Sequence, residues 1–176
     1  MNSETVLRPR IPHSVFIVEG ARIYGDVQIG ERASIWFNAV IRGDEGPVLI
    51  GSDSSVQDNA VIHSDLDYGV HIGQKVNIGH GAVIRGCRIE EDVMVGMNAT
   101  VMTSAEIGAE SIVGANAMIG YGKKFPPRSL ILGVPAQRVR ELTERELEMN
   151  KIATATYQSL IKRYLSGEIR GLEPSD

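Results

Sequence analysis

Hydrophobic positions recur with a period of six along most of the chain. Ile17, Ile23, Ile29, Ile35 and Ile41 fall at six-residue intervals, then Ile50, Val56 and Ile62, then Ile72, Ile78 and Ile84, then Ile89, Val95, Val101, Ile107, Val113 and Ile119. Every rung is β-branched. A helix of 3.6 residues per turn would smear such a ladder around its surface, and the Gly, Asn and Asp between the rungs would be costly in a helix interior. Short strands separated by tight turns fit the pattern, with one inward Ile or Val per hexad. Many rungs are followed by glycine, as in "IGER", "IGSD", "IGHG" and "VGAN", which predicts a glycine that relieves a strained φ. Three hexads per coil make a triangular prism of about six coils, in which equivalent residues stack roughly 4.8 Å apart.

The ladder breaks in three places. Extra residues lie between Ile41 and Ile50 ("RGDEGPVL") and between Ile62 and Ile72 ("HSDLDYGVH"), and both predict outward loops; one residue is missing between Ile84 and Ile89. After Ile119 a Pro-rich stretch leads out of the prism through Ile131. From Thr143 the period changes. "TERE" is a capping box, and Leu147, Ile152, Ala155, Leu160, Ile161, Tyr164 and Leu165 form a helical apolar stripe. The expected organisation is an all-β solenoid domain over 11–136, a C-terminal helix over 143–165 lying along it, and a frayed tail over 166–176.

Composition narrows the function classes. With 18 basic against 22 acidic residues and a formal charge of −4, no electrostatic footprint for nucleic acid is present. The first residues lack an apolar leader core, and no apolar run approaches the roughly 18 residues a bilayer span needs. A cytoplasmic protein is expected. The single cysteine, Cys87, excludes an intrachain disulfide and reads as a small buried hydrophobe.

Registering the coils sorts the chemistry. Ile41, Ile62 and Ile84 begin equivalent strands on one face, so Arg42, His63 and Arg85 form a column. On another face, begun by Ile35, Val56, Ile78 and Val95, Asp58 stacks under His80, with Gln57 beside it and Met97 above. His71 falls on the second insertion, outside both columns. A packed aliphatic core separates the two faces, so His63 and His80 of one chain cannot easily meet. A neighbouring prism in a trimer could bring them together.

The motifs "RGDE" (42–45), "VQDNAVIH" (56–63), "IGHGAVIRGC" (78–87) and "GVPAQRVREL" (133–142) resemble those of the gamma-class carbonic anhydrases, over nearly the whole chain. The resemblance implies a left-handed parallel β-helix and a homotrimer that hydrates CO2 to bicarbonate. It also implies zinc or iron at each subunit interface, held by two histidines of one chain and one of its neighbour. His63 matches one ligand and His80 the ligand given across the interface. The third falls on Arg85, which has no lone pair to offer and stays protonated. Its repulsion of a divalent ion at about 5 Å would be on the order of several kcal/mol. By the same resemblance Arg42 and Asp44 form an interface ion pair, Gln57 and Asp58 serve the catalytic site, and Tyr157 matches a tyrosine of the C-terminal helix. Ser55 and Ala153 stand where the family tends to carry asparagine.

These departures imply weak or absent activity, with Arg85 pairing Asp58 or binding a small anion such as bicarbonate. The alternatives are an active lyase with an altered ligand set, a CoA-dependent hexapeptide acyltransferase using His63 or His80 as base, and a non-catalytic trimeric assembly protein.

Overall fold

The computed structural model describes residues 6–172. It is a left-handed parallel β-solenoid of about six coils with a single C-terminal helix. Every pairing between coils is parallel and in the register that the hexads predict. Ile35 pairs with Val56 and Val56 with Ile78 on one face, and Ile41 with Ile62 and Ile62 with Ile84 on the next. All rungs from Ile29 to Ile119 are buried, whereas Ile17 and Ile23 lie at the open first coil and are partly exposed. A second buried column of small side chains, two residues before each rung, fills the corners. It includes Ala33, Ala39, Ala60, Ala82, Ala99, Ala105 and Ala117, and Cys87 takes the same place at 3% exposure. Burial pushes the Cys87 thiol up to about 12, so it is inert packing.

The glycines after the rungs do not relieve backbone strain. Gly51 has an ordinary φ, but a Cβ there would lie 2.4 Å from the Gly73 carbonyl of the next coil, so glycine is required by the close approach of stacked strands. The left-handed φ falls instead three residues after most rungs, at the corner; Ile23, Ile41, Ile62 and Ile84 depart from this. Most corners carry polar non-glycine residues, among them Asn38 (φ 56°), Asn59 (φ 58°), Asn98 (φ 55°) and Asn116 (φ 57°). Asparagine tolerates this region because its short side chain bonds locally.

Two insertions behave differently from the expected loops. The first is strand: Val40–Ile50 runs unbroken, pairing with Arg22–Ile29 below and with both Val61–His63 and Val70–Ile72 above. It turns the corner without leaving the sheet, which joins two faces into one ladder. The second insertion is closed by a tight turn in which Asp65 and Tyr68 exchange backbone hydrogen bonds at 2.8 and 2.9 Å. His71 is not in that loop; it lies in strand Val70–Ile72, beside Leu49 and Arg88 on the remaining face.

The ladder gains a further rung at Phe125, paired with Ile107. Strand Ala136–Glu141 then folds back antiparallel on Ser129–Gly133 and ends the solenoid. The helix spans Glu144–Leu165, capped by Thr143 and Glu146 in the expected box. Its packed stripe differs from the apolar one read in sequence. Leu147, Asn150 and Ile161 are buried and Thr154, Tyr157 and Tyr164 partly so, while Ile152 and Leu165 are exposed. Polar residues hold this seam to the prism backbone: Asn150 donates to the Asp92 carbonyl at 3.2 Å and Gln158 to that of Arg32 at 2.8 Å. Beyond the helix, the Glu168 amide bonds back to the Arg163 carbonyl at 3.0 Å; the last four residues of the expected tail lie outside the described residues.

Candidate metal and anion site

The column on the first face forms as its register dictates, Arg42 beside His63 and His63 beside Arg85. His63 is partly buried. Its Nε2 lies 2.9 Å from Arg42 Nη2 and 2.9 Å from Asp44 Oδ1, with Glu45 Oε2 at 3.8 Å. One ring nitrogen can accept from Arg42 or donate to Asp44, not both at once. Arg42 and Asp44 also pair within the chain at 3.3 Å, both about half exposed. Partial burial raises the Asp44 carboxyl, but hydrogen bonds from His63 and the backbone, with Arg42 nearby, outweigh it and hold the group below its ordinary value.

Arg85 does not reach Asp58. Its Nε and Nη2 donate to the two oxygens of Asp65 at 3.2 and 3.1 Å, and the Thr103 hydroxyl donates to the same carboxylate at 2.7 Å. The Thr103 bond and then the Arg85 guanidinium keep the Asp65 carboxyl below the usual carboxylate range. Gly86 makes this convergence possible. A Cβ there would stand 3.0 Å from both Asp65 Cβ and Thr103 Cγ2. Asp65 and Thr103 escaped the sequence reading because Asp65 lies in an insertion, where the hexad register assigns no place.

On the other face Asp58 Oδ2 lies 2.6 Å from His80 Nδ1. A carboxylate at Nδ1 fixes the tautomer with its proton there and leaves Nε2 bare as base or ligand. The Tyr157 hydroxyl stands 3.5 Å from that Nε2. Burial, and then the Asp58 charge, push the Tyr157 phenol up to about 12, so it remains a neutral donor. Its ring packs edge-on against Trp36 at 5.3 Å. The Ser55 hydroxyl accepts from Trp36 Nε1 at 3.1 Å. Gln57 is 7% exposed beside Asp58.

Within one chain the register therefore assembles two separate histidine sites. Among the described residues no three His, Cys, Asp or Glu side chains of a single chain converge on a metal-sized centre, and no helix is long and apolar enough to cross a membrane.

A family model described as bacterial transferase hexapeptide (six repeats) matches residues 86–121. A Methanocaldococcus jannaschii protein described as a "Probable carbonic anhydrase" is 51% identical over 150 residues, which cover 85% of this chain and 94% of that one. The chain belongs to the gamma-class carbonic anhydrase-like family. The carnitine operon protein CaiE of Escherichia coli is 36% identical over 157 residues, covering 89% of this chain and 80% of that one. A solved structure of a hexapeptide transferase family protein from Anaplasma phagocytophilum shares the fold with a TM-score of 0.85 and 34% identity, covering 89% of this chain and 92% of that one. The carbonic anhydrase-like family implies a metal cofactor. Within one chain His63 and His80 lie on separate faces, and the rung above His63 carries the guanidinium of Arg85 and not a further imidazole.

Proposed function

We propose that the chain is a homotrimer with an impaired carbonic anhydrase centre at each interface, where His63 of one protomer faces His80 of the next. Rapid CO2 hydration is lost or weak. One observation carries this reading: Arg85 occupies the rung directly above His63, and its guanidinium is anchored there by Asp65. Exposed apolar side chains beside both columns, Val83 and Met97 at 39% and 53% exposure, support a partner on this corner.

A bound zinc or iron ion would supply Lewis acidity to such a site, but two imidazoles beside a guanidinium hold it poorly. What the chain's own residues favour is a small anion. Arg42 and Arg85 flank His63 on adjacent rungs, and Arg85 Nη1 is not engaged by Asp65, so bicarbonate fits the charge. The test joins metal analysis of protein purified with and without oxygen, mass by analytical ultracentrifugation and stopped-flow CO2 hydration. The expected result is a trimer with far less than one metal per chain and slow hydration; stoichiometric metal with rapid turnover overturns the proposal.

A second reading rests on the Asp58 and His80 pair, whose bare Nε2 suits a general base for acyl transfer. It predicts that coenzyme A binds measurably in calorimetry, and absence of heat excludes it.

A further inference from the structure

One corner of the prism is built of charges. Where the Ile72 face meets the Ile78 face, the residues with left-handed φ are Arg32, Asp53, Lys75, Asp92, Glu110 and Arg128, at φ between 54° and 60°. Stacked coils set each about 4.8 Å from the next. The following corner carries asparagine in the same place, at Asn38, Asn59, Asn98 and Asn116. Asparagine and aspartate suit this backbone, whereas lysine, arginine and glutamate do not, so the turn alone does not call for these charges. The ends of the ladder are neutralised. Arg32 forks onto Asp53 at 2.8 and 2.7 Å, and Arg128 pairs with Glu141 and Glu144. In the middle, among the described residues, neither Lys75 nor Asp92 forms an ion pair, and Lys151 of the helix has only Glu148, one turn away at 3.8 Å. These three charges line a cleft of about 450 Å³ between helix and corner, with Asp53, Thr154 and Ala155. Asn150 and Thr154 tie the helix to the Asp92 and Lys75 carbonyls at 3.2 and 3.4 Å, so both walls are held in place. Partial burial raises the Asp92 carboxyl above its ordinary value, and Glu110 and Glu91 add to this, although Lys75 and Lys151 act against it.

We propose that this cleft binds a free acidic α-amino acid, its two carboxylates on Lys75 and Lys151 and its ammonium group on Asp92. The charges decide the class. Asp53 is engaged by Arg32, which leaves two positive groups and one negative facing the cleft, and a ligand with two carboxylates and one ammonium is their complement. The volume lies within the range of small-molecule sites, roughly 300–1,000 Å³. Ala155 is the one apolar residue in the lining, so a ligand with an apolar body finds no wall to bury against. The cleft shares no lining residue with the His63 or His80 sites, and its corner lies opposite the face that carries Arg42, His63 and Arg85. It depends on neither the metal nor the trimer.

The test is titration of L-glutamate into the full chain, read by the amide NMR signals of Lys75, Asp92 and Ala155. Saturable shifts are expected, and glutarate, which has both carboxylates but no ammonium group, should bind about ten-fold more weakly. Asp92→Asn should erase that preference. Lys75→Asn should weaken both probes about ten-fold or more. Asparagine suits the left-handed backbone at either position, so neither substitution disturbs the corner. Shifts that do not saturate, equal affinity for glutamate and glutarate in the unaltered chain, or undiminished binding to Lys75→Asn overturns the proposal. None of these readouts depends on carbonic anhydrase activity.

Discussion

His63 and His80 occupy different faces of one prism and are held in opposite ways. His63 is gripped at Nε2, between Arg42 and Asp44, on a column whose next rung is Arg85. His80 is gripped at Nδ1 by Asp58, with Nε2 turned to the Tyr157 hydroxyl under the helix. The first imidazole has its outer nitrogen engaged by charged neighbours, while the second has only the neutral Tyr157 hydroxyl beside it, at 3.5 Å. The comparison teaches that a histidine's position in a solenoid fixes where its chemistry is displayed, and that its carboxylate partner fixes which nitrogen is available. His80 Nε2 faces a neutral hydroxyl, whereas His63 Nε2 lies among charged groups.

The sharpest way to break this asymmetry is Arg85→His. Replacing a cation by an imidazole above His63 should tighten zinc binding by about 100-fold or more, since several kcal/mol of repulsion disappear, and metal content after dialysis checks it. Unchanged metal content would show that Arg85 is not what limits the site. In that background, Asp58→Asn should weaken zinc about 10- to 100-fold by releasing His80 from its orientation, measured by competition with a chelating dye. The same experiment on Asp44→Asn should cost less, because the His63 Nε2 is freed rather than misdirected.

Acid unfolding separates the two faces further. The Asp65 carboxyl is lowered by Thr103 and Arg85, so its contribution to stability is complete above its ordinary value near 3.9 and is lost as pH falls through the lower folded value. Asp65→Asn should flatten thermal stability across that acid window, read by Tm from about pH 5 to 2. The smallest effect is expected at the helix cap. Thr143→Ala should cost about 1 kcal/mol and lower Tm by about 2–4 °C, shifting the NMR signals of His80 and leaving those of His63 in place.

Much of this was legible in the sequence because the hexad period is a coordinate system. It places Arg42, His63 and Arg85 in one column and Asp58 under His80 from spacing alone. What it could not place lay where the period lapses. Asp65 sits in an insertion, so its grip on Arg85 was invisible, and Val40–Ile50 stayed in the sheet although its glycines and charges read as loop. "IG" is equally consistent with a strained turn and with a crowded stack, and only coil-to-coil distances separate the two. The helix stripe is legible only in part: Leu147, Leu160, Ile161 and Tyr164 lie on the packed side, but Asn150 and Thr154, polar residues that satisfy prism carbonyls, carry no hydrophobic signal.

The strand Ala136–Glu141, which folds back against the last coil, bears on how these molecules behave in a crowd. A parallel solenoid exposes an open row of amides and carbonyls at its final turn, and another copy could add there without limit. A reversed strand carrying Arg138, Arg140 and Glu141 covers that row on one of the three faces with charge, so strand-on-strand addition of another copy is opposed there.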